Sequence, residues 1–207
     1  MILFDAPVYK LITTLLNVLD PTTILIMKFI TTLGSSIVIC TVIFSLFVLL
    51  KDKKYFWYTA IACLVGSAFE HILKIIIRRP RPEEFWPLTV EKTYSFPSGH
   101  TFMSVVLYGL LIYYINKNVK SKKLRYFGTC IFSLIIFLVA VSRLYLGVHY
   151  ATDVVGGLIL GTIYLIAFII LVIERKERKD KKLKKGLEKS REKQKNLNKK
   201  SKQKNAK

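Results

Sequence analysis

The stretch FWYTAIACLVGSAFEHILKIII, residues 56–77, is followed directly by RRPRP, residues 78–82. The first part is apolar for long enough to cross a hydrocarbon core about 30 Å thick. The second part is cationic, and Pro80 and Pro82 are expected to end the helix there. A membrane helix that ends in a cationic loop is therefore the first prediction.

Similar apolar runs lie on both sides of this stretch. The predicted spans are Phe29 to Leu50, Phe56 to Ile77, Thr101 to Asn116, Tyr126 to Val141 and Val154 to Ile173. The third and fourth are shorter than the ~20 residues of a typical span and should extend into their neighbouring loops. The chain is predicted to be all-α, a polytopic membrane helix bundle of about five transmembrane helices.

The segment Pro7 to Leu19 is apolar but too short to cross a bilayer, and Asp5, Lys10 and Asp20 bracket it. It is predicted to be an N-terminal interfacial helix. The N-terminus lacks the basic start of a secretory signal peptide, so the mature chain is expected to keep Met1. The three cysteines lie in separate spans without metal or disulfide spacing, so neither a metal nor a cofactor is predicted.

The charges between the spans predict the orientation. The loops Lys51 to Lys54 and Lys117 to Arg125 are basic with few acids, as is the C-terminal tail, which is typical of the cytoplasmic side. The loops Arg78 to Gly99 and Arg143 to Asp153 also carry acids and should face outward. We expect a multi-pass protein of the cell membrane with a cytoplasmic tail.

The Lys-rich tail, residues 174–207, supplies much of the formal charge of +20 and has too few apolar residues to bury a core. It is predicted to be a disordered cytoplasmic extension to a membrane-embedded domain of residues 1–173, lying against anionic lipid headgroups. Nucleic-acid binding is the alternative. It is not expected, because no aromatic or folded module accompanies the lysines.

The first of three segments with chemical potential is KIIIRRPRP, residues 74–82. Lys74 lies inside the apolar run, where an ionised group is costly unless it meets a counter-charge, and Glu70 one turn away offers one. A purely structural Glu70–Lys74 pair is the alternative to a functional lysine. Arg78 and Arg79, taken alone, are interpreted as snorkelling anchors of the helix end.

The second segment is SFPSGH, residues 95–100, immediately before the third span. Ser98 can cap a helix, and Gly99 lets backbone N–H groups approach a ligand, so an anion would meet donors and the positive end of a helix dipole. His100 would lie beside that anion. Taken alone, a single histidine is more often structural.

The third segment is SRLYLGVHYATD, residues 142–153. The spacing of His149 and Asp153 puts both on one side of a helix, so the carboxylate can accept a hydrogen bond from one ring nitrogen. The other nitrogen is then left unprotonated as a nucleophile. The alternative is that Asp153 only caps the following helix.

Together the segments supply fixed cations, N–H donors, two histidines and an orienting carboxylate, all on the predicted outer face. Phosphoryl transfer needs this set, because its catalysis consists mainly of positioning and of stabilising charge on the phosphoryl oxygens. The sequence therefore predicts a site that acts on a phosphate group.

The strings KxxxxxxRP, PSGH and SRxxxxxHxxxD, in this order and separated by membrane spans, resemble the three signature motifs of the type 2 phosphatidic acid phosphatase superfamily. The similarity covers roughly Asp5 to Ile173 and includes the stretch Thr31-Thr32-Leu33-Gly34. The resemblance implies a bacterial membrane-embedded lipid phosphatase.

The resemblance also implies the role of each residue, without a metal. His149 would attack phosphorus to give a phosphohistidine, Asp153 would orient His149, and His100 would protonate the leaving oxygen. The residues implied to bind the phosphoryl oxygens are Lys74, Arg81, Ser98, Gly99 and Arg143.

The expected substrate is a lipid phosphate or diphosphate whose chain stays in the bilayer: phosphatidic acid, phosphatidylglycerophosphate or undecaprenyl diphosphate. Some undecaprenyl diphosphate phosphatases of this superfamily carry Asp where Gly99 stands, which disfavours that substrate. An anion transporter that uses the same cations and a membrane anchor that acts through its tail are the alternatives. Neither needs a His/Asp pair and a second histidine.

Overall fold

A computed structural model describes residues 5–15, 20–82 and 93–204. The regular elements in these ranges are α1 Asp5–Leu15, α2 Pro21–Thr32, α3 Ser36–Leu49, α4 Lys54–Ile77, α5 Gly99–Asn118, α6 Lys122–Tyr145, α7 Ala151–Phe168, a π-helical segment Ile169–Glu174 and α8 Arg175–Lys204. The described part contains no β-strand, which confirms the all-α fold class.

In the described ranges, three helical stretches are long and apolar enough to cross a membrane: Lys54–Ile77, Lys122–Tyr145 and Ala151–Glu192. The bent pair of α2 and α3 qualifies as a fourth if it is counted as one span. Large apolar side chains such as Leu64 and Ile76 are exposed on these helices. Extended apolar surfaces of this kind are typical of helices that face hydrocarbon.

The predicted third span lies in α5, which is not among those stretches. Every side chain from Thr101 to Tyr108 is buried, because α4, α6 and α7 pack around this helix. A Cβ added at Gly157 would lie 2.9 Å from the Ser98 carbonyl oxygen, and one at Gly161 would lie 3.1 Å from that of Phe102. The GxxxG spacing thus brings α7 close to α5. A helix enclosed by protein need not be fully apolar, so the count of five crossings stays a prediction.

The first predicted span, Phe29 to Leu50, is not one continuous helix. A break after Thr32 separates α2 from α3, and the two helices are bent by 47°. Gly34 lies at this break, where an added Cβ would be 2.8 Å from the His100 carbonyl oxygen and 2.9 Å from Val139 Cγ1. The break was not predicted, because a mean hydropathy over the whole run does not detect so short an interruption, and the span itself stays a prediction.

The N-terminal helix α1 is attached to the bundle by its first turn. Asp5 is only 1% exposed, and its carboxylate accepts hydrogen bonds from Arg79 and from Thr152. The end of the predicted interfacial segment, residues 16–19, lies outside the described residues. The interfacial location of this helix stays a prediction.

Contacts divide the chain into two units, Met1–Ile166 and Ala167–Lys207. Within the second unit, the tail expected to be disordered from Glu174 onward is helical through Lys204. Lysine and glutamate are good helix formers, and Arg178 pairs with Glu174 across one turn at 3.2 Å, which explains the difference. The described side chains of α8 are almost all exposed. The domain boundary at residue 173 stays a prediction.

Candidate active site

A cavity of about 540 Å³ lies among α3, α4, α5 and the segments that follow α4 and α6. Its lining includes six of the eight predicted site residues: Lys74, Arg81, Gly99, His100, Arg143 and His149. The other two, Ser98 and Asp153, are fully buried and joined by a hydrogen bond from Ser98 N to Asp153 O of 3.1 Å. The three segments identified in the sequence therefore meet at one place.

The side chains of His149 and Asp153 face each other, as their spacing predicts. His149 lies between α6 and α7, and its Nδ1 is 3.5 Å from Asp153 Oδ2. The same oxygen accepts a hydrogen bond of 3.0 Å from Tyr150 N at the start of α7. Asp153 thus stabilises the helix start and also faces the imidazole, so the two interpretations of this residue are compatible.

Ser95 contacts both His149 and Asp153. No role is predicted for this serine from the sequence. Its Oγ donates to Asp153 Oδ2 at 2.5 Å and lies 3.4 Å from His149 Nδ1. The serine oxygen and the carboxylate are both acceptors on the Nδ1 side of the ring, so they favour the proton on Nδ1 and leave the lone pair on Nε2. Its position two residues before the PSGH string was the only sequence signal.

The pKa of His149 is lowered to about 3, mainly by burial and also by the neighbouring Arg143 and Arg81 guanidinium groups, against the opposing effect of Asp153. The ring is only 3% exposed. Loss of hydration disfavours the imidazolium, so His149 is neutral at physiological pH and its Nε2 is available as a nucleophile.

Two arginines approach the histidine from different elements. Arg81 Nη1 is 3.4 Å from His149 Nε2 and donates to the Val148 carbonyl oxygen at 2.7 Å. Arg143 is 2% exposed, and its Nη1 donates to Thr31 Oγ1 at 3.0 Å. The bend between α2 and α3 thus helps to hold Arg143, which gives the Thr31–Gly34 stretch a structural purpose.

Lys74 reaches the cavity from α4 beside Arg81, which also donates to the Tyr94 carbonyl oxygen. The Nζ of Lys74 donates to the Tyr94 carbonyl oxygen at 2.7 Å and lies 3.2 Å from Glu70 Oε1. The ion pair weighed as a structural alternative is therefore present, and the lysine lines the cavity as well. Apart from this ion pair, Glu70 Oε1 has no hydrogen bond within the described ranges.

Gly99, the first residue of α5, lines the cavity. Ser98 is the N-cap residue, but its side chain contacts Thr101 Oγ1 at 3.0 Å and makes no capping hydrogen bond. A Cβ added at Gly99 would lie 2.7 Å from Glu70 Oε1, so a side chain there would displace the carboxylate. His100 follows in the first turn and lines the cavity.

Arg78 and Arg79 lie in different environments, although both are interpreted from the sequence as snorkelling anchors. Arg78 is exposed and ends α4 in a left-handed conformation with φ 50°, which suits a surface anchor. Arg79 instead turns inward, and its guanidinium binds Asp153 Oδ1 at 2.7 Å and Asp5 Oδ2 at 3.1 Å. The snorkelling interpretation of Arg79 was wrong, because its partner Asp5 lies 74 positions away and no local pattern connects them.

The cavity continues between α3 and α4 as an apolar groove. Its lining there is Ile39, Cys40 and Ile43 on one side and Ala60, Cys63 and Leu64 on the other. From Lys74 to Ala60 the groove follows α4 for about 21 Å at the helical rise per residue. Leu64 is 73% exposed, so the groove reaches the apolar outer surface of the bundle.

Within the described ranges, no three His, Cys, Asp or Glu side chains are grouped as ligands for a metal ion.

Comparison with known proteins identifies related sequences. Phosphatidylglycerophosphatase B of Bacillus subtilis is 40% identical over 109 residues, which are 51% of this chain and 51% of that protein. Dolichyldiphosphatase of Saccharomyces cerevisiae is 33% identical over 122 residues, 53% of this chain and 49% of that protein. The chain thus spans about half the length of these two relatives.

Comparison with solved structures gives a match over most of the chain. The crystal structure of a transmembrane PAP2 type phosphatidylglycerolphosphate phosphatase from Bacillus subtilis has a TM-score of 0.72 and 28% identity, and covers 82% of this chain and 85% of that one. Together with the exposed apolar helices, this match makes the chain a multi-pass membrane protein. The sequence profile of the PAP2 superfamily matches residues 54–177, which contain all three motifs, and the chain belongs to that superfamily.

Proposed function

We propose that this protein hydrolyses a lipid phosphate or diphosphate through a phosphohistidine on His149, without a metal. The observation that carries the proposal is the placement of His149: Asp153 and Ser95 lie on its Nδ1 side, and Arg81 lies beside its Nε2 in the cavity. A neutral imidazole with one nitrogen held and the other directed at an anion site is an activated nucleophile.

In the first step, His149 Nε2 attacks phosphorus while the bond from phosphorus to the lipid oxygen breaks, and His100 donates a proton to that oxygen. In the second step, water gives a proton to His100 and attacks phosphorus. The bond to Nε2 then breaks, which releases inorganic phosphate and regenerates neutral His149. The same histidine thus serves as acid and then as base.

The charge that develops on the phosphoryl oxygens is stabilised by groups already in place. Lys74, Arg81 and Arg143 supply positive charge, and the backbone N–H of Gly99 supplies a donor at a helix start, whereas the N–H of Ser98 is bonded to the Asp153 carbonyl oxygen. The arginines are held by Val148 and Thr31, so little reorganisation is needed when the phosphate arrives.

The groove between α3 and α4 supports a lipid as the substrate, because it joins the cationic end of the cavity to the apolar outer surface. A phosphate would lie near Lys74 with its chain along the groove. Phosphatidylglycerophosphate and phosphatidic acid are the preferred candidates, and undecaprenyl diphosphate is third. The names of the two relatives, a phosphatidylglycerophosphatase and a dolichyldiphosphatase, support this chemical class.

The proposed orientation places the cavity on the outer membrane face and the tail in the cytoplasm. The basic loops and tail support it through the positive-inside rule. The exposed lysines of α8 would contact anionic lipid headgroups, and nucleic acid is not an expected partner.

The proposal is tested by phosphate release from the three lipids in detergent micelles with EDTA, comparing wild type with His149→Ala. Activity of the wild type alone, together with an acid-labile phosphoenzyme that the variant lacks, is the expected result. Equal activity of both proteins would remove His149 from the mechanism. Loss of wild-type activity in EDTA would remove the metal-independent step. Inactivity of the wild type on every lipid, with or without EDTA, would favour the anion transporter.

A further inference from the structure

Arg79 and Asp5 form a buried ionic cluster directly behind the proposed nucleophile. The guanidinium of Arg79 is 17% exposed, and the carboxylates of Asp5 and Asp153 are fully buried on either side of it. A charge in such surroundings is costly unless it is paired and hydrogen-bonded. The cluster meets that condition, because the guanidinium bridges both carboxylates.

The two oxygens of Asp153 have separate partners. Oδ2 faces His149 Nδ1 and accepts hydrogen bonds from Ser95 Oγ and Tyr150 N. Oδ1 accepts a charge-assisted hydrogen bond of 2.7 Å from Arg79 Nη1. Arg79 therefore fixes the rotation of the carboxylate whose other oxygen faces the nucleophile.

Arg79 is itself held on several sides. Its Nη1 donates to Thr152 Oγ1 at 2.6 Å, its Nη2 donates to Asp5 Oδ2 at 3.1 Å, and its Cζ lies 4.2 Å from the centre of the Tyr150 ring. Asp5 Oδ1 in turn accepts a hydrogen bond of 3.0 Å from Thr152 N. The carboxylate of Asp5 thus fixes both the guanidinium and the first turn of α7.

We propose that Arg79 and Asp5 are positioning residues for the reaction of His149: Asp5 holds Arg79, Arg79 holds Asp153, and Asp153 orients the imidazole. The inference rests on the proposed function and extends it, since it makes helix α1 part of the catalytic apparatus. Neither residue lines the cavity that contains His149, and Arg79 lines only an adjoining cavity behind Lys74 and Arg81. Their loss should therefore slow the reaction without weakening the binding of phosphate.

The test compares Arg79→Met and Arg79→Lys with Arg78→Met, the matched control, which removes the same charge from the exposed neighbour. Arg79→Met should lower kcat by roughly 10- to 100-fold, by analogy with the loss of a residue that orients a metal-ligating histidine from behind. KM and the inhibition constant of inorganic phosphate should stay within about threefold. Arg79→Lys should recover only part of kcat, because an ammonium cannot reproduce the planar guanidinium fork.

Asp5→Asn and the double variant Asp5→Asn/Arg79→Met complete the cycle. Asp5→Asn should lower kcat by about 10-fold, and it should add little in the Arg79→Met background, because residues in one network are not additive. If Arg79→Lys and Asp5→Asn each reduce kcat and the affinity for phosphate by the same factor, the role of these residues is structural and the inference is overturned. Full activity of both variants would overturn it as well.

Wild-type activity separates this test from the test of the function itself. If wild type and Arg78→Met are both inactive on every lipid phosphate, the proposed function fails. If both are active and Arg79→Lys and Asp5→Asn match them, only the positioning role fails. If Arg79→Met does not fold, Arg79→Lys and Asp5→Asn decide the outcome. A positioning role requires that kcat falls in these variants while the inhibition constant of phosphate stays the same.

Discussion

The two sides of the cavity differ in how completely their polar groups are paired. The histidine side consists of His149 on the cavity wall and of Asp153, Ser95, Arg79 and Asp5 behind it. On this side both oxygens of each carboxylate have partners. The lysine side consists of Lys74, Glu70 and Gly99, and there one buried oxygen of Glu70 has, apart from its ion pair with Lys74, no hydrogen bond within the described ranges.

This difference indicates that the two sides of the cavity contribute to different steps, the reaction and the binding of phosphate. A fully satisfied buried network holds one geometry, which suits a nucleophile that must meet phosphorus in line. A carboxylate oxygen held only by the ion pair with Lys74 can rearrange when a substrate arrives. Changes on the histidine side should therefore act on kcat, and changes on the lysine side should act mainly on binding.

The largest effect is expected for Asp153→Asn. The amide keeps the size of the side chain but removes the charge and can present an N–H to Nδ1, which favours the wrong tautomer of His149. A loss in kcat on the order of 10³- to 10⁴-fold is expected, as for other orienting carboxylates. Steady-state rates measure it, with Asp52→Asn, an exposed carboxylate paired with Lys54, as the control. A loss under tenfold would mean that Asp153 serves only the helix start.

Gly99→Ala should have the next largest effect, because its Cβ would meet Glu70 Oε1 at 2.7 Å. Displacement of Glu70 towards the phosphate position should lower kcat/KM by about 100-fold, comparable with the loss of one oxyanion donor. Gly186→Ala, where an added Cβ meets nothing within 4 Å, is the control. The double variant Gly99→Ala/Glu70→Ala should recover part of the loss. If it recovers none, the contact with Glu70 is not the cause.

Glu70→Gln is a smaller change on the same side. It removes the negative charge 3.2 Å from Lys74 Nζ and leaves the size of the side chain unchanged. The lysine then attracts the phosphate more strongly, so KM should fall by roughly two- to fivefold with kcat little changed, a change of less than about 1 kcal/mol in binding. Glu174→Gln, at an exposed pair with Arg178, is the control. A rise in KM would show that Glu70 contributes to binding directly.

The last prediction concerns stability rather than turnover, through its dependence on pH. The folded state lowers the pKa of His149 from 6.5 to about 3, so the unfolded chain binds a proton in this range and the folded chain does not. The stability from the neutral ring is complete above pH 6.5 and is lost as the pH falls towards 3. The unfolding midpoint in detergent should therefore decrease less steeply with acid in His149→Gln than in wild type. Parallel curves would contradict the depressed pKa.

Residues that act within one segment were predicted from the sequence, and residues that act across the fold were not. His149 and Asp153 are one helical turn apart, so their spacing indicates their contact. Arg79 and Asp5 are far apart in sequence, and each resembles a common surface charge until the fold brings them together. The break at Gly34 was missed for a similar reason, since its close neighbour is the backbone of His100 on another helix.

The groove between α3 and α4 has a consequence for how this protein would find its substrate. Because the groove reaches the apolar outer surface near Leu64, a lipid can arrive sideways by diffusion within the bilayer. The search is then two-dimensional, and its rate depends on the mole fraction of substrate among the surrounding amphiphiles. Turnover would therefore slow when inert lipid dilutes the membrane, even while the bulk concentration of substrate stays constant.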